Sequence, residues 1–101
     1  MDWIDNIYLG SIKVGNRQKV VFSAKTSPPE GFDVTKLTTS CGCSSAEYDK
    51  ETGDIEVDYV PKEVPKHLKH QGYYKTSKRV TIHDNTGDVT TLEFSAKVSS
   101  R

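Results

Sequence analysis

The chain has 101 residues, of which 34% are hydrophobic and 28% charged, and its 14 basic side chains balance 14 acidic ones. No run approaches the ~20 apolar residues of a membrane span, and the even charge lacks the basic excess with which a dedicated nucleic-acid binder neutralises phosphates. Two cysteines, Cys41 and Cys43, are too few for a disulfide scaffold, so stability has to come from a packed core.

The opening Met1-Asp2-Trp3-Ile4-Asp5 lacks the positive start and the apolar run of about 7–15 residues that mark a secretory signal. A chain not exported by the Sec route is expected, in the cytoplasm or in a virion. Beyond it the dominant period is two, and strands are predicted near 5–13, 18–25, 31–40, 45–49, 54–60, 76–84 and 88–98. Phe32 and Val34 alternate with Asp33 and Thr35. Ile55, Val57 and Tyr59 alternate with Glu56 and Asp58. Val80 and Ile82 alternate with Thr81 and His83, and Leu92, Phe94, Ala96 and Val98 with Glu93, Ser95 and Lys97. One apolar and one polar side is the pattern of antiparallel strands that cover a core on one face only.

Turn-prone clusters separate these runs: Gly15-Asn16, Pro28-Pro29-Glu30-Gly31, Glu51-Thr52-Gly53-Asp54 and Asn85-Thr86-Gly87-Asp88. The last two read as hairpin loops, with Gly53 and Gly87 at positive φ. The segment from Val60 to Gly72 breaks the pattern with Pro61 and Pro65 and few strand formers. Pro65 at a first-turn position and Gly72 as a stop suit one helical turn within a crossing loop, 61–75. The reading is a single domain, 1–101, all-β: an immunoglobulin-like antiparallel β-sandwich of about seven strands. A small barrel is the alternative.

Chemistry-bearing patterns are few. Cys41-Gly42-Cys43 on an extended strand would set two thiols roughly 6.5–7 Å apart on one face, outside comfortable disulfide reach. The pair could be half of a metal site or a redox dithiol, with His67 and His70 (three apart on a helical turn) or His83 completing a ligand set. The structural reading takes the cysteines as small residues at a bend and the histidines as solvated. There is no nucleophile elbow, P-loop, dinucleotide fingerprint or His-Glu-x-x-His. No catalysis, cofactor or small-molecule substrate is expected.

Charge is uneven along the chain. Residues 47–58 hold six acids against Lys50, whereas 61–80 hold Lys62, Lys66, Lys69, Lys75, Lys78 and Arg79 against Glu63. Either the two runs pair and cancel, or they present opposite patches that steer contact between copies or with a charged partner. Trp3, Tyr73 and Tyr74 are the aromatics least accounted for by core alternation. With Lys66 and Lys69 they form the candidate interaction residues, and Trp3 has the alternative of closing one end of the sandwich.

The run Ile7-Tyr8-Leu9-Gly10-Ser11-Ile12 with Gly15, through Val20-Val21-Phe22, to Leu37-Thr38-Thr39-Ser40-Cys41-Gly42-Cys43-Ser44 resembles a bacterial family of uncharacterised domains. Its members open on a Phe-Gly strand that leads to a Ser-Cys-Gly-Cys-Thr motif. That family is similar to the hydin-type (ASH) and PapD-like branch of immunoglobulin folds. Three features depart from its pattern: Leu9 stands where an aromatic is common, Glu51-Thr52-Gly53 replaces a Pro-Gly turn, and the crossing loop is longer. Many members also carry a secretion signal. The resemblance implies a non-enzymatic binding or structural role.

Together these readings predict a structural or interaction module that docks onto a larger, multi-copy protein assembly. A bacteriophage capsid-decorating or tail protein is the first expectation, with contact through Trp3, the 61–75 loop and an exposed edge strand. A cytoplasmic metal- or thiol-binding protein using Cys41, Cys43 and a histidine is the alternative, and a hydin-like adaptor is a further one.

Overall fold

An extended segment sends every second side chain to the same face, so long alternating runs bury their apolar halves only by stacking two layers. The computed structural model, which describes residues 1–40, 42 and 44–100, has this arrangement. Its strands are β1 (Asn6–Lys13), β2 (Gln18–Phe22), β3 (Val34–Thr39), β4 (Ser44–Tyr48), β5 (Ile55–Tyr59), β6 (Tyr73–Asp84) and β7 (Val89–Ser99). Four form one sheet in the order β1-β7-β6-β3, and three form the other in the order β2-β5-β4. The molecule is an all-β sandwich of seven strands. Setting β2, β5 and β4 against β7, β6 and β3 reproduces the strand grouping of the seven-stranded immunoglobulin sandwich. Among the described residues no helix is long and apolar enough to cross a membrane.

One expectation is corrected: β1 runs parallel to β7, pairing Asn6 with Glu93 and Ile12 with Val98. The cause is a change of sheet by the first segment. Trp3 forms an antiparallel bridge with Ala24, and the Ile4 amide donates to the Ser23 carbonyl at 2.9 Å. From Asn6 onward the chain lies beside β7 instead. Gly10, at φ 77°, falls where the register slips between Tyr8 and Ser11. A bulge of this kind needs a left-handed residue, which glycine supplies without strain.

Two aromatic groups hold the layers together. Phe94 of β7 meets Tyr59 of β5 with ring centroids 5.2 Å apart and Phe22 of β2 at 6.4 Å. Trp3 meets Phe32 at 6.4 Å, and Phe32 meets Tyr48 at 6.1 Å. Ile55, Val57, Val80, Leu92 and Val98 fill the space between. Each such side chain contributes roughly 1.5–3 kcal/mol when fully buried.

Both predicted hairpins form with glycine at positive φ, 84° at Gly53 and 92° at Gly87. In the second, the buried Asp84 carboxylate accepts from the Thr86 hydroxyl at 2.5 Å and from the amides of Thr86 and Asp88 at 2.9 and 3.2 Å. The Thr86 hydroxyl above all, then the amides, holds this carboxyl below its ordinary 3.8. Because the folded value is the lower one, Asp84 stabilises the fold fully above the unfolded carboxylate range. That contribution disappears as pH falls through the folded value. Asp84→Asn is therefore expected to lower stability at neutral pH and to flatten its acid dependence, read as urea midpoints across the acid range. A variant whose acid limb matches the parent's would contradict this.

The crossing segment contains one 3₁₀ turn, Lys66–Leu68, preceded by Pro65 and closed by Gly72 at φ 75°. β6 begins at Tyr73 rather than at 76, so Tyr73 and Tyr74 belong to a strand and not to the loop.

Candidate functional site

Of the candidate interaction residues, Trp3 is corrected. It is 3% exposed, and its indole N–H donates to the Gly53 carbonyl at 2.6 Å. The side chain closes the end of the sandwich and is not available for docking. Lys66 and Lys69 are exposed on the crossing segment. Tyr74 lies opposite Val98 on the core side of its sheet, and its hydroxyl donates to the Lys62 carbonyl at 2.7 Å. Beside it burial pushes the Tyr59 phenol up to about 12, and the neighbouring Tyr74 adds to the rise. Both rings act as structural struts at the foot of the crossing segment. Tyr73 has the opposite parity and faces outward under Lys97, whose Nζ sits 4.2 Å from the ring centroid in a cation–π contact.

His67 and His70 are exposed. Among the described residues no three His, Asp or Glu side chains converge to hold a metal ion. Cys41 and Cys43, the other members of that candidate set, lie outside the described residues.

The outward faces of the two sheets are the distinctive surfaces. In an antiparallel pair, residues directly opposite share a face. On the four-stranded sheet the register therefore aligns outward rows. Ser11, Lys97 and Lys75 form one row, Tyr8, Ser95 and Ser77 another, and Asn6, Glu93 and Arg79 a third. Thr91, Thr81 and Thr38 follow, and Lys36 lies opposite His83. Lys13 completes the β1 margin beside Ser99. Among the described residues five cations stand on this face with one carboxylate, Glu93. Tyr8 is 68% exposed there and borders an open depression of about 470 Å³ with Lys75, Ser77 and Ser95.

On the three-stranded sheet the outward set is Lys19, Val21, Ser45, Glu47, Glu56 and Asp58. Lys19 pairs with Glu56 at 3.0 Å, a contact that raises the lysine's affinity for its proton. Glu47 and Asp58 remain exposed beside Glu56, so this face is acidic. The two charge runs thus do not pair and cancel. β5 joins β2 and β4, whereas β6 joins β7 and β3.

Residues 4–98 match the family described as Protein of unknown function (DUF1573). The chain belongs to that family. No curated protein and no solved structure matches it. The match spans every strand of the sandwich except the last residue of β7, so both charged faces are built on the DUF1573 segment itself.

Sequence reasoning named Lys75 and Arg79 through the basic run but not Lys13, Lys36 or Lys97. The alternation shows that Lys97 points away from the core, with Glu93 and Ser95. It does not show which strands flank β7, and the row Ser11–Lys97–Lys75 exists only once β1 and β6 do so.

Proposed function

We propose that this chain is a non-enzymatic interaction module that docks onto a larger, multi-copy protein assembly. Its docking surface is the outward face of the four-stranded sheet, with Lys66 and Lys69 extending the same charge along the crossing segment. The observation that supports this reading is the composition of that face, where Lys13, Lys36, Lys75, Arg79 and Lys97 surround short hydroxyl side chains. Unlike a face meant only for water, it is strongly of one sign in a chain whose charges balance overall. An open, polar four-stranded surface suits another protein better than a small ligand, which binds in concave and mostly apolar sites. The partner's matching surface is acidic.

The strand grouping and the parallel β1–β7 pair support the finer reading, that the fold belongs to the hydin-type and PapD-like branch of immunoglobulin folds. Members of that branch work as binding modules. A virion lattice and a hydin-style adaptor complex are the two assemblies proposed, and the identity of the captured partner tells them apart.

The test is site-specific photo-cross-linking in native cells from Ser77, at the middle of the basic face, with Glu30 on a distant loop as the control position. A protein partner trapped from Ser77, not trapped from Glu30 and lost with Lys75→Glu plus Lys97→Glu, is expected. Absence of any trapped protein at Ser77, or equal trapping at Glu30, overturns the proposal.

A further inference from the structure

The structure points to a partner of a particular kind: we propose that copies of this chain stack head to tail, the acidic outward face of one seated on the basic outward face of the next. This rests on the docking reading above and names its occupant as a second copy. The carboxylates of β4 and β5 and the amines of β6 and β7 stand on opposite outsides of one sandwich, separated by a core about 10 Å thick. One molecule therefore offers both halves of a complementary contact.

Each face also sets like charges directly opposite one another. Lys75 lies across from Lys97, and Glu47 lies across from Glu56. Like charges in register destabilise an isolated sheet. A covering face of the other sign converts both repulsions into attraction. Among the described residues no carboxylate comes within ion-pair distance of Lys75 or Lys97, and of Glu47, Glu56 and Asp58 only Glu56 is paired, with Lys19. These charges are left for a neighbour to meet. Val21, 40% exposed, and Tyr8, 68% exposed, give the two faces apolar surface to bury against each other.

The contact is heterologous, because two different patches meet. Every stack ends with one acidic and one basic face uncovered, so association propagates and does not close at a dimer. Formal net charge is zero, so no long-range repulsion opposes the approach of a second copy.

Sedimentation of the full chain is to be compared at ~0.01 M and ~1 M salt, where the Debye length is ~30 Å and ~3 Å. The expected result is an average mass that climbs with protein concentration past twice 11.3 kDa at low salt and returns to the monomer at high salt. Two variants sharpen the test: Lys75→Glu with Arg79→Glu and Lys97→Glu makes both faces acidic, and Glu47→Lys with Asp58→Lys makes both basic. Each alone is expected to weaken self-association ~100-fold or more, since like charges then face each other across the contact. Mixed together, they are expected to associate again, which a misfolded variant could not do. A parent chain that stays monomeric at low salt, or variants that do not rescue one another, overturns head-to-tail stacking. If Ser77 still traps a different, acidic protein, the docking reading stands without it; if it traps nothing, both fall.

Discussion

Trp3→Ala is expected to lower stability by about 3–5 kcal/mol, the range for removing a buried large aromatic side chain. For a chain of this size that corresponds to a fall in Tm of roughly 12–30 °C. The residue lies outside the seven strands, ahead of β1, so the size of the effect is diagnostic. Two ties of the side chain account for it, and a backbone bridge that the substitution leaves in place holds the position. The ring fills the end of the core against Phe32, the indole N–H satisfies the buried carbonyl of Gly53, and the backbone bridges Ala24. Gly53 has no room to compensate, since a Cβ there would meet Met1 Cε at 2.5 Å and Pro28 Cγ at 2.9 Å. Trp3→Phe separates the terms. It keeps most of the apolar contact but leaves the Gly53 carbonyl without its donor, at a cost of about 1–3 kcal/mol. Thermal unfolding of the two variants beside the parent checks both figures. A Trp3→Ala chain within ~1 kcal/mol of the parent would mean that the first segment does not seal the sandwich.

Trp3 also shows where reading the sequence reaches its limit. Alternation tells inside from outside wherever a strand is long enough to display it, and it placed Phe94, Val80 and Ile55 in the core and Glu93, Thr81 and Glu56 outside. The residues around Trp3 display no such run, because the chain passes from one sheet to the other between Ile4 and Asn6. The same crossing makes β1 parallel to β7, a pairing set by topology and invisible in local pattern. Turn chemistry was readable at Gly53, Gly72 and Gly87, since a left-handed residue leaves its mark in composition. Tyr73 and Tyr74 were misplaced in a loop because two adjacent tyrosines carry no period of their own. Once β6 is extended to include them they take opposite faces, Tyr74 bracing the core and Tyr73 lying under Lys97. The acidic and basic runs were visible as runs. Whether they cancel depends on which strands are neighbours, and that required the fold.

Phe94→Ala is the second large effect expected, at the upper end of about 3–5 kcal/mol. The side chain is 1% exposed and belongs to β7, the strand between β1 and β6. Its ring reaches across to β5 and β2, tilted 65° against Tyr59 and 55° against Phe22. Such edge and tilted contacts add about 0.5–1.5 kcal/mol each to the burial itself. Removing the ring opens a cavity at the point where the two layers are joined, and strands paired on both sides cannot collapse into it. Urea unfolding should show a lower midpoint with an unchanged slope, the mark of lost stability without altered compactness. Phe94→Leu, which fills most of the volume but loses both ring contacts, should cost about 1–3 kcal/mol, less than Phe94→Ala. Tyr8→Ala, in the outward row next to that of the Lys75–Lys97 pair, should stay within ~0.5 kcal/mol, as exposed substitutions do. The contrast carries the functional argument. If the core is held by Phe94 while the outward rows add nothing to the stability of the isolated chain, the charges on those rows are free to meet a neighbour. Equal destabilisation by Tyr8→Ala and Phe94→Ala would instead make the outer face part of the scaffold, and the docking proposal would lose its basis.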